Sequence, residues 1–154
     1  SSDVCSSDLS ATNAFETALL NLYFLNTDHA NVGDAAGIQN SAAAGSFYIS
    51  LHTADPGETG TQTTSEATYT SYARVAVARS GAGWTVSGAN ASNAAAVNFP
   101  AATGGTNTIT HFGIGSDLSG TGNLFFKGAL SASLAVSSGI TPSFAIGELD
   151  VNLD

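Results

Sequence analysis

Three histidines, His29, His52 and His111, are the side chains best suited to move protons near neutral pH in this 154-residue chain. A nucleophilic site would set one of them beside a serine and an orienting carboxylate. His52 and Asp55 are close in sequence, but the pattern puts His52 at the end of a strand and Asp55 in a turn. No G-x-S-x-G elbow is present. His111 falls mid-strand, where a histidine bonded to backbone is the ordinary arrangement. His29 falls in a polar loop and reads as solvated. The expectation is no catalytic residue, no cofactor and no enzyme.

Metal-binding spacing is equally thin, with no H-E-x-x-H and no EF-hand loop. At the C-terminus, Glu148, Asp150, Asn152 and Asp154 alternate with Leu149, Val151 and Leu153. Period two places the four polar groups on one face of a strand, where a column of oxygens could hold calcium. A solvated face opposite a core face is the simpler reading, and like charges there also discourage edge pairing. "GIGSDLSG" has glycines but neither a following helix nor a lysine to make a phosphate cradle. Arg74 stands out among the cations. A half-buried arginine must be paired, so Arg74 is expected to pin the preceding loop, with Glu66 and Asp55 as candidate partners and Glu58 nearby. Tyr69 and Trp84 are the aromatic candidates for a saccharide surface, although Trp84 in "GWTVSG" reads more simply as core.

The elements that must position these residues follow from periodicity. A helix is expected over about 13–26, with Asn13 as cap and Glu16 at capping-box spacing. Phe15, Ala18, Leu19, Leu22 and Leu25 form one stripe at helical spacing. Leu20, Tyr23 and Phe24 lie off that stripe. A helix apolar nearly all round is buried on more than one side, and the 27–45 loop is poor in apolar area. Leu20, Tyr23 and Phe24 are therefore expected at a subunit contact. The loop itself carries at most a short helical turn near Ile38. "SFYISLH" (46–52), "YARVAVAR" (72–79), "WTVSG", "AAAVNF" (94–99), "TITHFGIG" (108–115), "LFFKGAL" (124–130), "SLAV", "GITPSF" and "ELDVNLD" read as short strands between Gly/Asn/Ser turns. Such spacing suggests a mainly β protein, an antiparallel β-sandwich or jelly roll with one N-terminal helix. Phe47, Ile49, Leu51, Val75, Val77, Phe112 and Ile114 are the expected core. Residues 53–71 hold no sustained pattern, and a loop that long is usually functional or protruding.

Net charge is −9, and only Arg74, Arg79 and Lys127 are basic. Nucleic-acid and anionic-membrane partners are disfavoured, because both need clustered cations. The opening "SSDVCSSDL" differs in texture from all that follows. With ordinary codons it can be written AGT TCA GAC GTG TGC TCT TCC GAT CT, the end of a common sequencing adapter. The chain also has no methionine. Residues 1–9, with the only cysteine, Cys5, are therefore read as a translated scar from a metagenomic read and set aside. Residues 10–154 then make one domain of ordinary size.

The segments "NAFETALLNLYF", "FYISLHTADPGETGTQTTSEATYTSYARVAVAR", "GWTVSG", "NAAAVNFPAATGG", "ITHFGIG" and "GITPSFAIGEL" resemble a group of small tailed-bacteriophage and prophage structural proteins, often labelled tail fibre proteins. The resemblance runs from Ala11 to about Leu153 and is most specific from Leu51 to Arg79. "LHTADPG…YARVAV" is also similar to minor tail and head-associated proteins. The resemblance implies a virion component, tail- or fibre-associated or a capsid decoration subunit. It would be made in the bacterial host's cytoplasm and would act through contacts with its own copies and with other virion proteins. A receptor- or carbohydrate-binding module of a fibre is the alternative.

Overall fold

The structure, a computed structural model, describes residues 11–153. Residues 1–9, read above as a scar, lie outside them. In chain order the elements are α1 (Asn13–Leu25), β1 (Ser46–His52), β2 (Val75–Ala78), β3 (Trp84–Ser87), β4 (Asn90–Asn93), β5 (Val97–Asn98), β6 (Asn107–Gly115), β7 (Leu124–Val136), β8 (Ser143–Phe144) and β9 (Asp150–Asn152). They build an antiparallel β-sandwich. A main sheet of order β2-β1-β6-β7 faces a smaller sheet β3-β4-β9, and β5 and β8 form a third pair. Helix α1 packs on β3 and β4.

The helix begins one residue earlier than its sequence suggests. Thr12, not Asn13, is extended and accepts the Phe15 N–H at 3.4 Å, because a cap must sit outside the helical backbone. Glu16 thus falls past the capping-box position. It belongs instead to the buried stripe Glu16, Leu20 and Phe24, spaced four apart. Phe15, on the stripe expected to be the apolar face, is half exposed. At the other end Asn26 adopts the left-handed conformation with φ 53°. Its amide exchanges two 2.9 Å bonds with the Ser41 backbone, which ties the 27–45 loop to the helix. That loop forms a backbone bridge between His29 and Ile38 rather than a helical turn.

Strand β1 forms over the expected 46–52. Others shift where pairing overrides pattern: the 94–99 run contributes only Val97 and Asn98, and "LFFKGAL" and "SLAV" fuse into β7. Strand β4, "NASN", has no β-forming residue and was not expected. It forms because Ala91 is fully buried and the Asn93 side chain replaces missing backbone partners. The Asn93 amide donates to Ala95 O and Ala145 O at 2.8 Å each, and its oxygen accepts the Leu149 N–H at 2.9 Å.

Register defines two faces of the main sheet. Ile49 pairs with Ile114 and Leu51 with Phe112, and these side chains point inward. Phe47, Ile49, Leu51, Val77 and Ile114 are buried as expected, while Val75 and Phe112 are partly buried against the same core. Phe24 joins helix to sandwich. Its ring lies 4.6 Å from Trp84, 5.2 Å from Phe47 and 5.6 Å from Phe126, centroid to centroid. Leu20 and Phe24 are both 0% exposed, so the expectation that they meet another subunit is corrected. The sandwich of their own chain takes them, because Trp84, Phe47 and Phe126 supply the apolar surface that the 27–45 loop lacks.

Candidate functional site

The opposite face of the main sheet carries the alternating residues Tyr48, Ser50 and His52 of β1, which sit across from Gly115, Gly113 and His111 of β6. Such a face would normally be wet. Here Ser50 and His52 are fully buried, because the loop between β1 and β2 folds back over them. The loop comes close enough to require glycine beneath it. A Cβ on Gly115 would overlap Gln62 Cδ of that loop and Asn123 O, while one on Gly113 would meet Leu124 Cδ1 of β7 at 2.5 Å and the β1 side chains His52 and Ser50 at 2.9 Å each. The final glycine of "HFGIG", Gly115, was the legible sign of this close approach.

The covering loop is fixed by polar bonds. Glu66 takes a two-pronged ion pair from Arg74, with Nε to Oε1 at 2.7 Å and Nη2 to Oε2 at 2.8 Å. Arg74 spends its remaining reach on Asp117 O at 2.9 Å and Gly120 O at 2.8 Å, which locks the β6–β7 turn as well. The Tyr72 hydroxyl donates to Glu66 at 2.9 Å and accepts the Leu51 N–H at 3.1 Å. Burial, with the Glu66 carboxylate beside it, holds the Tyr72 phenol far above its ordinary range. The hydrogen bonds to Glu66 push Arg74 further up. The buried Gln62 accepts the Asp117 N–H at 2.9 Å.

Asp55 is not part of the Arg74 pin, which corrects its expected role. It lies three residues past the end of β1, near the start of the loop. There it pairs with Lys127 of β7 at 3.1 Å, alongside Glu58 at 3.1 Å. Its carboxyl is held below the usual range first by the Gly57 N–H and then by Lys127. Thus Arg74 and Lys127 pin two ends of one loop. The third cation, Arg79, serves the helix. It donates to Leu22 O at 2.8 Å, to Ala44 O at 3.0 Å and to Tyr23 O, so it supplies the positive charge absent from the last turn of α1.

His52 and Ser50 form a pair that the sequence reading did not see. Ser50 Oγ lies 2.8 Å from Nε2, and Nδ1 lies 2.8 Å from Thr64 O. A carbonyl only accepts, so Nδ1 carries the proton and Nε2 accepts from the serine hydroxyl. Burial pushes the His52 pKa down. Hydroxyl and imidazole at this distance can activate a nucleophile. Both are sealed under the loop, with a carbonyl rather than a carboxylate orienting the ring, so the pair serves as a strut. His111 contacts Thr110 Oγ1 at 2.9 Å, and the His29 ring lies 5.6 Å from Phe15.

The C-terminal carboxylates do not form a column. Glu148 precedes β9 and accepts the Ala145 N–H at 2.9 Å, while Asp150 and Asn152 both accept from Asn90 at 3.2 and 3.0 Å. Asp154 lies outside the described residues. Among those residues no three His, Cys, Asp or Glu side chains are placed to hold a metal. Tyr69 and Trp84, the saccharide candidates, are both buried. Tyr69 donates to Pro100 O at 3.0 Å, and Trp84 Nε1 has no partner among the described residues. The exposed aromatics are others: Phe15 at 49%, beside His29, and Tyr23 at 41% and Phe125 at 45%. A bulge in the β6–β7 pairing, where Gly115 faces Leu124 and Ile114 faces Phe126, frees Phe125 from the alternation. Its ring comes to 5.8 Å from Phe47, beside the helix.

The fold is an antiparallel β-sandwich whose three cations are held by its own loops and helix end. The family model described as podophage GP4 fiber I protein gp80 matches residues 10–152, and the chain belongs to that family, a phage fibre-type structural protein. A search of curated proteins finds no match.

Proposed function

We propose that the chain, residues 10–154 acting as one domain, is a non-enzymatic component of the phage particle that works by contact with its own copies. In this reading it is made in the host cytoplasm and assembled into the virion, at a tail, fibre or head-decoration position. The observation that carries it is the surface between α1 and β7. A hollow of about 220 Å³ is lined there by Leu19, Leu20, Tyr23, Phe125, Phe126 and Leu153, of which Tyr23 and Phe125 are exposed. None of these residues is charged. On a chain of net charge −9, an uncharged apolar patch is where a second copy can approach without repulsion. Of the three residues first expected at a contact, only Tyr23 remains available to one. The test is light scattering of the wild type against Tyr23→Ser/Phe125→Ser, both exposed positions. An oligomer that becomes a folded monomer supports the reading. A monomeric wild type, or an unaffected double variant, overturns it.

A second reading, a saccharide-binding module of a fibre, is favoured by one feature. Tyr23 and Phe125 also border a cavity of about 400 Å³ whose other walls include Gln39, Ser41, Ser46 and Ser116. Flat rings beside hydroxyl and amide groups suit a neutral sugar. Binding on a glycan array that is lost in Phe125→Leu, which keeps apolar volume but removes the ring, would select this reading over the first.

A further inference from the structure

Strand β7 is the longest strand and lies at an edge of the main sheet. Its outer side pairs with no other strand among the described residues. Edges of this length are usually blunted by charge, proline or a bulge, and Gly128 to Val136 carries no charge and no proline. Within that stretch the ladder bulges. Ile109 faces Leu134 and His111 faces Ala129, so residues 130–133 of β7 stand opposite Thr110 alone. Beside the bulge opens a groove of about 500 Å³. Phe112, Leu130, Leu134 and Phe144 give it apolar walls, and Glu148 and Asp150 lie at its rim.

A free strand edge next to an apolar groove fits an added strand, with backbone bonds to the edge and alternate side chains in the groove. The charges decide whose strand it is. A second copy would bring the same acidic rim. Its three cations are already engaged, Arg74 by Glu66, Arg79 by the end of α1 and Lys127, in an exposed cluster, by Asp55 and Glu58. We infer that the β7 edge and its groove receive an extended, basic segment of a different protein. Its apolar residues would fill the groove, and its Lys or Arg side chains would face Glu148 and Asp150. This rests on the reading of the chain as one component of a larger assembly, but uses a different surface from the copy-to-copy contact.

The probes are two blocked octapeptides, alternating Val/Lys and alternating Val/Glu, added to the intact chain and followed by calorimetry and amide hydrogen exchange. The Val/Lys peptide is expected to bind, to slow exchange in 128–136, and to bind more weakly as salt rises. Glu148→Gln/Asp150→Asn should weaken it roughly tenfold, the scale set by two rim charges. Ser131→Lys/Ser133→Lys, at exposed positions, should abolish it. Failure of the Val/Lys peptide to bind, equal binding of both peptides, or binding without protection of β7 overturns the inference. None of these outcomes alters the light-scattering result at Tyr23 and Phe125, so the two proposals fail separately.

Discussion

The two faces of the main sheet are both covered, and by opposite means. On the inner face α1 is held by apolar contact, with Leu20 and Phe24 fully buried among Trp84, Phe47 and Phe126. On the outer face a loop poor in apolar residues is held by Glu66, Arg74, Tyr72, Gln62 and His52. Apolar burial is non-directional and tolerates some rearrangement. A buried ion pair with a satisfied hydrogen-bond shell fixes one geometry and is costly to leave half made. The outer face thus fixes position, where the inner face provides cover. The loop and the β6–β7 turn are held at fixed places, whereas the helix side keeps a rim of exposed rings.

The largest effect should come from the inner face. Phe24→Ala removes a ring shared by three aromatic neighbours and should cost about 3–5 kcal/mol in urea unfolding. A loss below about 1 kcal/mol would mean that α1 is not part of the core. On the outer face, Glu66→Gln leaves Arg74 buried without its counter-charge and should cost about 3 kcal/mol. The double variant Arg74→Met/Glu66→Leu should cost less than that single change. If the double is the worse of the two, the clamp works through its bonds to Asp117 O and Gly120 O rather than through the ion pair.

Gly113→Ala probes how tightly the β1 and β7 side chains close over β6, and should cost about 1–3 kcal/mol by overpacking Leu124, His52 and Ser50. Gly81→Ala, in open space and without a left-handed backbone, would not suffer that clash.

His52 supplies a pH test. It stays neutral when folded, because burial lowers its pKa from the ordinary 6.5. Below that pH the unfolded chain takes up a proton that the folded chain refuses. Stability should therefore be flat above pH 6.5 and fall as pH drops toward the lowered folded value. His52→Gln should remove this slope, measured as melting temperature against pH. A slope unchanged in the variant would assign the effect to other groups. The smallest effect is expected from Asp55→Asn, since its pair with Lys127 is solvent-exposed and screened. A large drop in melting temperature there would show that the start of the loop, not Arg74, holds the cover in place.

Much of this was determined by sequence alone. Period-two alternation fixes β1 and its inward Phe47, Ile49 and Leu51, because a side chain on a strand has only two faces to choose from. The near-absence of cations fixes the acidic character, and an arginine between apolar residues after a glutamate-bearing loop is enough to predict a pin between Arg74 and Glu66. Tertiary structure decided what no local pattern encodes. It chose which of two helical stripes is buried, because that depends on where Trp84 and Phe126, far along the chain, come to lie. It sent Asp55 to Lys127 rather than Arg74, and it made a strand of "NASN" through long-range bonds from Asn93. It also buried Tyr69 and Trp84 while a single bulge turned Phe125 outward. Periodicity reports the faces of one element. The neighbour that covers each face is set by contacts between residues distant in sequence.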